Sequence, residues 1–206
     1  MRIKNILSVS EPLYSALKEL VICTRSLNAR WLVGGSTGLV LQGGALPAAP
    51  RDLDLYIDRE QAQLMHQALA RYSIDEQIES ETAIYRSILS HYEICGVKVE
   101  LVGAFEVRAM ECVYRVEAEY LADQYADHVV FEEGMSIRIM PLMHEMVFNV
   151  LRNRPDRCQL IAELCRKKGV HLQRDILQRL MERNQFSFAL IRQISQLLEQ
   201  QADETT

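Results

Sequence analysis

Apolar positions recur along this chain at two different periods, and the switches between them mark its elements. Leu13, Leu17, Leu20 and Val21 share one stripe of a 3.6-residue repeat. They predict a helix over 10–28, with Ser10 as N-cap, Pro12 in the first turn and Asn28 as its end. Residues 31–33 read as a short apolar strand. Gly34-Gly35-Ser36 is a turn, 36–42 a short helix stopped by Gly43-Gly44, and ALPAAP a loop. Residues 53–57 read as a strand. Asp58 with Gln61 three positions on has the form of a capping box, and Ala62, Met65, Leu69 and Tyr72 continue at helical spacing.

The period then shortens. AIYRSILSHYEI and VKVELVG, joined by Cys95-Gly96, predict a hairpin over 84–102, and HVVF-EEG-MSIRIM predicts a second over 128–140. Neither period fits 104–127. After Pro141 the pattern is helical throughout. Four amphipathic stripes follow: Leu142 to Leu151, Leu160 to Cys165 stopped by Gly169, Leu172 to Leu180 stopped near Asn184, and Phe188 to Leu198. QADETT reads as a frayed tail. The expected organisation is a mixed α/β core over 1–140 and a small helical domain over 141–206.

Composition narrows the class. At 206 residues, 49% hydrophobic and 25% charged, the chain can build its own core. No apolar run is long enough to span a bilayer, and the start MRIKNILSVSEP lacks the pattern of a signal peptide. The five cysteines are scattered with no C-x-x-C pair, which fits a reduced, cytoplasmic setting. The net charge of −5 is uneven: −8 over 1–150 and +3 over 151–206. The basic excess, in RNRPDR, CRKKG and later arginines, reads first as solvated helix faces and second as a patch for an anionic partner such as RNA.

The chemistry lies in the strands. Side chains alternate across a strand, so Asp52 and Asp54 face one way while Leu53 and Leu55 face the other. In VKVELV, Lys98 and Glu100 share a face opposite Val97, Val99 and Leu101. If the two strands are neighbours, three carboxylates stand on one side of a sheet. Their repulsion is relieved by a hard divalent cation, Mg²⁺ or Mn²⁺, which also binds phosphate oxygens. Gly34-Gly35-Ser36, at a strand-to-helix turn, permits close backbone approach and offers N–H groups to an anion. The five histidines are isolated and read as surface residues, His144-Glu145 as a helix-surface pair. There is no H-E-x-x-H, no P-loop and no G-x-S-x-G elbow.

VGGS (33–36), RDLDLYI (51–57) and VEL (99–101) together resemble the nucleotidyltransferase superfamily of the DNA polymerase β type, with similarity to small bacterial antibiotic and toxin nucleotidyltransferases. The resemblance implies an α+β fold: a mixed, mainly antiparallel sheet flanked by helices, with a small C-terminal helical bundle. It implies NTP as donor and a hydroxyl acceptor on a small molecule, an RNA end or a protein, with pyrophosphate released. Asp52, Asp54 and Glu100 become the catalytic and metal-binding residues, and Gly34, Gly35 and Ser36 hold the β- and γ-phosphates. There are departures. Ala48 and Pro50 stand where many similar members carry arginine and threonine, and Asn149 stands near the place of a usual lysine. They keep a second reading open: a catalytically silent nucleotide- or partner-binding module of the same fold. Base preference and oligomeric state are left open.

Overall fold

The computed structural model describes residues 9–132 and 134–200. The expectations for the leader and for the tail at 201–206 therefore lie outside, or reach beyond, the described residues.

The helix expected at 10–28 is α1 (Glu11–Thr24). It ends earlier than Asn28, and Ser10 makes no side-chain cap. β1 (Leu32–Gly34), α2 (Gly35–Leu41) and β2 (Asp52–Ile57) follow as the pattern predicts, within a residue or two, while α3 (Arg59–Ala68) ends before Leu69 and gives way to a 3₁₀ turn over Ala70–Tyr72. An edge strand, β3 (Ile78–Glu81), carries no alternation in its sequence and was not expected. The first hairpin is β4 (Tyr85–Ile94) and β5 (Val97–Ala109). Cys95 and Gly96 both take positive φ, 53° and 75°, the geometry of a two-residue hairpin turn matched to strand twist.

The stretch that fitted neither period resolves into the far end of β5, then β6 (Cys112–Arg115) and α4 (Ala118–Gln124). Met110 and Glu111 make the same kind of turn at φ 52° and 60° without any glycine, so the sequence carried no turn signal there. β7 (Asp127–Glu132) and β8 (Met135–Ile139) form the second hairpin.

The sheet runs β3-β4-β5-β2-β1-β8-β7, with β6 paired to β5. It is mixed and mainly antiparallel; β2 beside β5 and β1 beside β8 are the parallel neighbours. One face is dry. Leu13, Leu17 and Leu20 of α1, Ala62 and Met65 of α3 and Leu69 just past its end close over Leu53, Leu55, Ile57, Val99 and Leu101. Burying side chains of this size stabilises by roughly 1.5–3 kcal/mol each.

Asp58 corrects the capping-box expectation. Its side chain makes no bond to the start of its own helix. Its carboxylate instead accepts the backbone N–H groups of Ala118 and Glu119 at 2.7 and 2.9 Å. It thus caps α4, sixty residues away, where an anion is favoured by unpaired N–H groups and the helix dipole. Asp58→Ala is expected to cost about 1–2 kcal/mol of stability, read as a lower midpoint in urea with an unchanged slope.

Among the described residues the chain divides into two compact units. One runs to Glu106 and resumes over Arg115–Pro141. The other joins Val107–Tyr114, the tip of the β5–β6 hairpin, to the helices that begin at Leu142. In that second unit α5 (Leu142–Leu151) packs against α6 (Pro155–Lys168), α7 (Val170–Arg183) and α8 (Phe188–Glu199). All ten residues of α5 are buried. A central helix has no wet face, so His144 and Glu145 are interior residues rather than the surface pair expected.

His144 Nδ1 lies 2.8 Å from the Tyr114 hydroxyl, and burial lowers the ring's pKa to about 3. Unfolded, the ring titrates near 6.5. Between those values the unfolded chain binds a proton that the folded chain does not. The stability is therefore fully present above pH ~6.5 and is lost as pH falls toward ~3. Denaturation midpoints across that range should fall with acid more steeply in the wild type than in His144→Gln.

Candidate active site

The site is built by register. In β1 and β2, paired antiparallel, Gly34 stands opposite Asp54. In β2 and β5, paired parallel, Asp54 stands beside Glu100 and Asp52 beside Lys98. Gly34, Asp54 and Glu100 thus form one row across three adjacent strands, at spacings of about 4.8 Å. Leu53, Leu55, Val99 and Leu101 are buried on the other face, while Asp54 and Glu100 are half-buried and Asp52 is exposed. The two carboxylates expected to be neighbours are neighbours, and they share the wetter face.

The turn beside them is shaped for a close approach. Gly35 has φ +60°, and a Cβ there would fall 1.9 Å from Asp54 Oδ2. The Asp54 carboxylate occupies the space that a side chain at position 35 would need. Thr37, fully buried, donates its hydroxyl to the Asp52 carbonyl at 2.8 Å and ties α2 to the start of β2. Gln42 Nε2 donates to the Met140 carbonyl at 3.2 Å and ties the far end of α2 beyond β8.

Among the described residues no three His, Cys, Asp or Glu side chains close into a ready cage for a metal. The donor set is nonetheless all carboxylate oxygen on one face, next to a glycine turn. That fits Mg²⁺ or Mn²⁺, which are commonly held by one or two carboxylates and completed by substrate phosphates and water rather than by protein alone.

The row extends one strand further. The two-residue turn at Cys95-Gly96 sets Ile94 opposite Val97, and counting back sets His91 opposite Glu100. Ile88 against Gly103 obeys the same register. His91 Nε2 lies 3.6 Å from Glu100 Oε2. Its Nδ1 pairs with Asp75 Oδ2, and its backbone N–H donates to Asp75 Oδ1 at 2.7 Å. Slight burial pushes the Asp75 carboxyl upward, but the backbone N–H and ring of His91 together hold it below its usual range.

A separate cleft of about 650 Å³ lies within the first unit near the end of β2, lined by Arg86, Phe105, Arg115 and Tyr120 among others. Of its charges, Arg115 pairs with Glu106 and Arg59 with Glu79.

The family model described as aminoglycoside-2''-adenylyltransferase matches residues 16–154, more than half of the chain and all of this row. The chain belongs to that family. Solved structures agree in fold. TM1012 of Thermotoga maritima, described as a nucleotidyltransferase, is similar at TM-score 0.59 and 21% identity, over 83% of this chain and 96% of that one. The solution structure of ANT(2'')-Ia, an antibiotic-resistance factor, is similar at TM-score 0.52 and 12% identity, over 91% of this chain and 99% of that one. No curated protein sequence matches. The superfamily and the α+β fold read from VGGS, RDLDLYI and VEL are thereby borne out.

For this adenylyltransferase-family chain, the structure adds Thr37, Asp75 and His91 to the residues around the row. His91 is not the isolated surface histidine expected; the hairpin register carries the signal that finds it. Asn149 supplies no cation in place of the usual lysine. It is buried, and its amide donates to the Glu145 carbonyl one turn back at 2.7 Å. Several C-terminal cations are engaged locally: Arg154 with Asp156, Arg174 with Glu199, Arg179 with Glu182, and Arg166 with the Leu197 carbonyl. That pattern favours solvated helix faces over a nucleic-acid patch. No helix among the described residues is long and apolar enough to cross a membrane.

Proposed function

We propose that this chain transfers a nucleotidyl group from an NTP to a hydroxyl of an aminoglycoside-like acceptor, releasing pyrophosphate. The observation that carries the reading is the row Gly34–Asp54–Glu100, with Asp52 two residues along the same strand face. The family's description supplies the acceptor class. The −8 charge over 1–150 suits an acceptor bearing several ammonium groups.

Asp52 and Asp54 would hold Mg²⁺. When bound, the ion neutralises phosphate charge and favours departure of pyrophosphate. The backbone N–H groups of Gly35 and Ser36, with the Ser36 hydroxyl, orient the β- and γ-phosphates and leave the α-phosphorus facing the carboxylates. Glu100, one strand from Asp54, accepts the proton of the attacking hydroxyl. Glycine at 35 lets Asp54 stand against the turn, so the phosphate-holding and ion-holding groups are set by the same backbone.

The test is pyrophosphate release with each NTP over a panel of aminoglycosides, with Mg²⁺ and with chelator. The expected result is stoichiometric pyrophosphate and a nucleotidylated acceptor, both lost with chelator. Tight NTP binding with no product from any acceptor would overturn the reading in favour of a silent module.

A further inference from the structure

We propose that His91, anchored by Asp75, is the positioning residue for Glu100. The inference rests on the assignment of Glu100 as proton acceptor. Three observations support it. Register places His91 directly across from Glu100 on the neighbouring strand, with Nε2 facing Oε2 at 3.6 Å. Asp75 holds the other side of the residue twice, at the ring Nδ1 and at the backbone N–H, which fixes both the ring's rotation and its place on the strand. Ile74 donates its N–H to the His91 carbonyl at 3.0 Å, so the segment bearing Asp75 is itself pinned to β4.

At 3.6 Å the His91–Glu100 contact is longer than a hydrogen bond. Such contacts commonly tighten when substrate is bound. A carboxylate at the edge of a wet face has several rotamers of similar energy. A ring fixed from behind selects the one directed toward the reacting hydroxyl. The arrangement has the logic of an outer partner that orients an inner functional group.

The test compares His91→Ala, His91→Gln, Asp75→Asn, Glu100→Gln and the double variant His91→Ala/Glu100→Gln, using the full chain. His91→Ala is expected to lower kcat about 10-fold or more, with the KM for NTP within about 2-fold of wild type. His91→Gln, which keeps a polar group near the place of Nε2, should recover most of it. In the double variant the His91 change should add nothing to the loss from Glu100→Gln, because it acts through that carboxylate.

A readout independent of turnover is the ¹⁵N spectrum of the five histidines in metal-free protein. The resonances missing from His91→Gln identify His91. Its Nε2 signal should move in Glu100→Gln and its Nδ1 signal in Asp75→Asn, while the other four rings stay put and report an intact fold. An unchanged kcat in His91→Ala, a full additional loss in the double variant, or a His91 spectrum indifferent to Glu100→Gln would each overturn the proposal. Wild-type kcat in Glu100→Gln would instead remove the assignment of the base itself, and the proposal with it.

Discussion

Asp54→Asn should abolish nucleotidyl transfer, by at least ~10²–10³-fold in kcat, while the thermal midpoint stays within a few degrees of wild type. The substitution keeps the shape of the side chain, removes its charge and replaces one carboxylate oxygen by an amide NH₂. Asp54 is half-buried at the centre of the row, with Gly34 on one side and Glu100 on the other. No neighbouring carboxylate replaces it there, since Asp52 is two residues along β2 and paired beside Lys98. Removing one of several like charges also relieves repulsion, which offsets part of any loss of stability. Steady-state kinetics beside a thermal melt separates the two effects; a large stability loss, or full activity, would run against the assignment.

Gly35→Ala should produce nearly as large a loss by a different route. A non-glycine residue at φ +60° costs about 1–2 kcal/mol. The added Cβ also meets Asp54 Oδ2 at 1.9 Å. That oxygen is the outermost atom of a side chain rather than backbone, so the Cβ is accommodated by rotating the carboxylate, and the rotation removes it from the place the reaction needs. The expected outcome is a drop of a few degrees in melting temperature and a fall in kcat of about 10²-fold or more. A Gly43→Ala control also has positive φ, 91°, but nothing near its Cβ. It should pay the strain without losing activity.

These effects show which parts of the site could be read from residues alone. Alternation placed Asp52 and Asp54 on the face opposite Leu53 and Leu55, and Lys98 and Glu100 opposite Val99, because period-2 burial leaves a plain signal on a sheet with one dry face. That β2 and β5 are neighbours is tertiary. The residues between them, including α3 and an entire β-strand pair, leave the pairing undetermined until the sheet is assembled.

His91 was legible in principle. The Cys95-Gly96 turn fixes the register, and His91 opposite Glu100 follows by counting, but its partner Asp75 comes from a segment whose sequence gives no strand pattern. Asp58 illustrates the opposite error. A local capping box was a sound inference from spacing, yet the carboxylate satisfies the N-terminus of α4 sixty residues on, and no local rule predicts a long-range cap. His144 and Glu145 were misplaced because α5 is enclosed by three helices. Two polar residues beside each other on a helix suggest a wet face only when the helix has one.

The most direct measurement of the central claim is a crystal structure with a non-hydrolysable NTP and Mn²⁺, with the ion located by its anomalous signal. Density is expected about 2.0–2.1 Å from carboxylate oxygens of Asp52 and Asp54, with the β- and γ-phosphates against Gly35 and Ser36 and the α-phosphorus facing Glu100. Nucleotide and ion bound elsewhere, with these carboxylates touching neither, would contradict it.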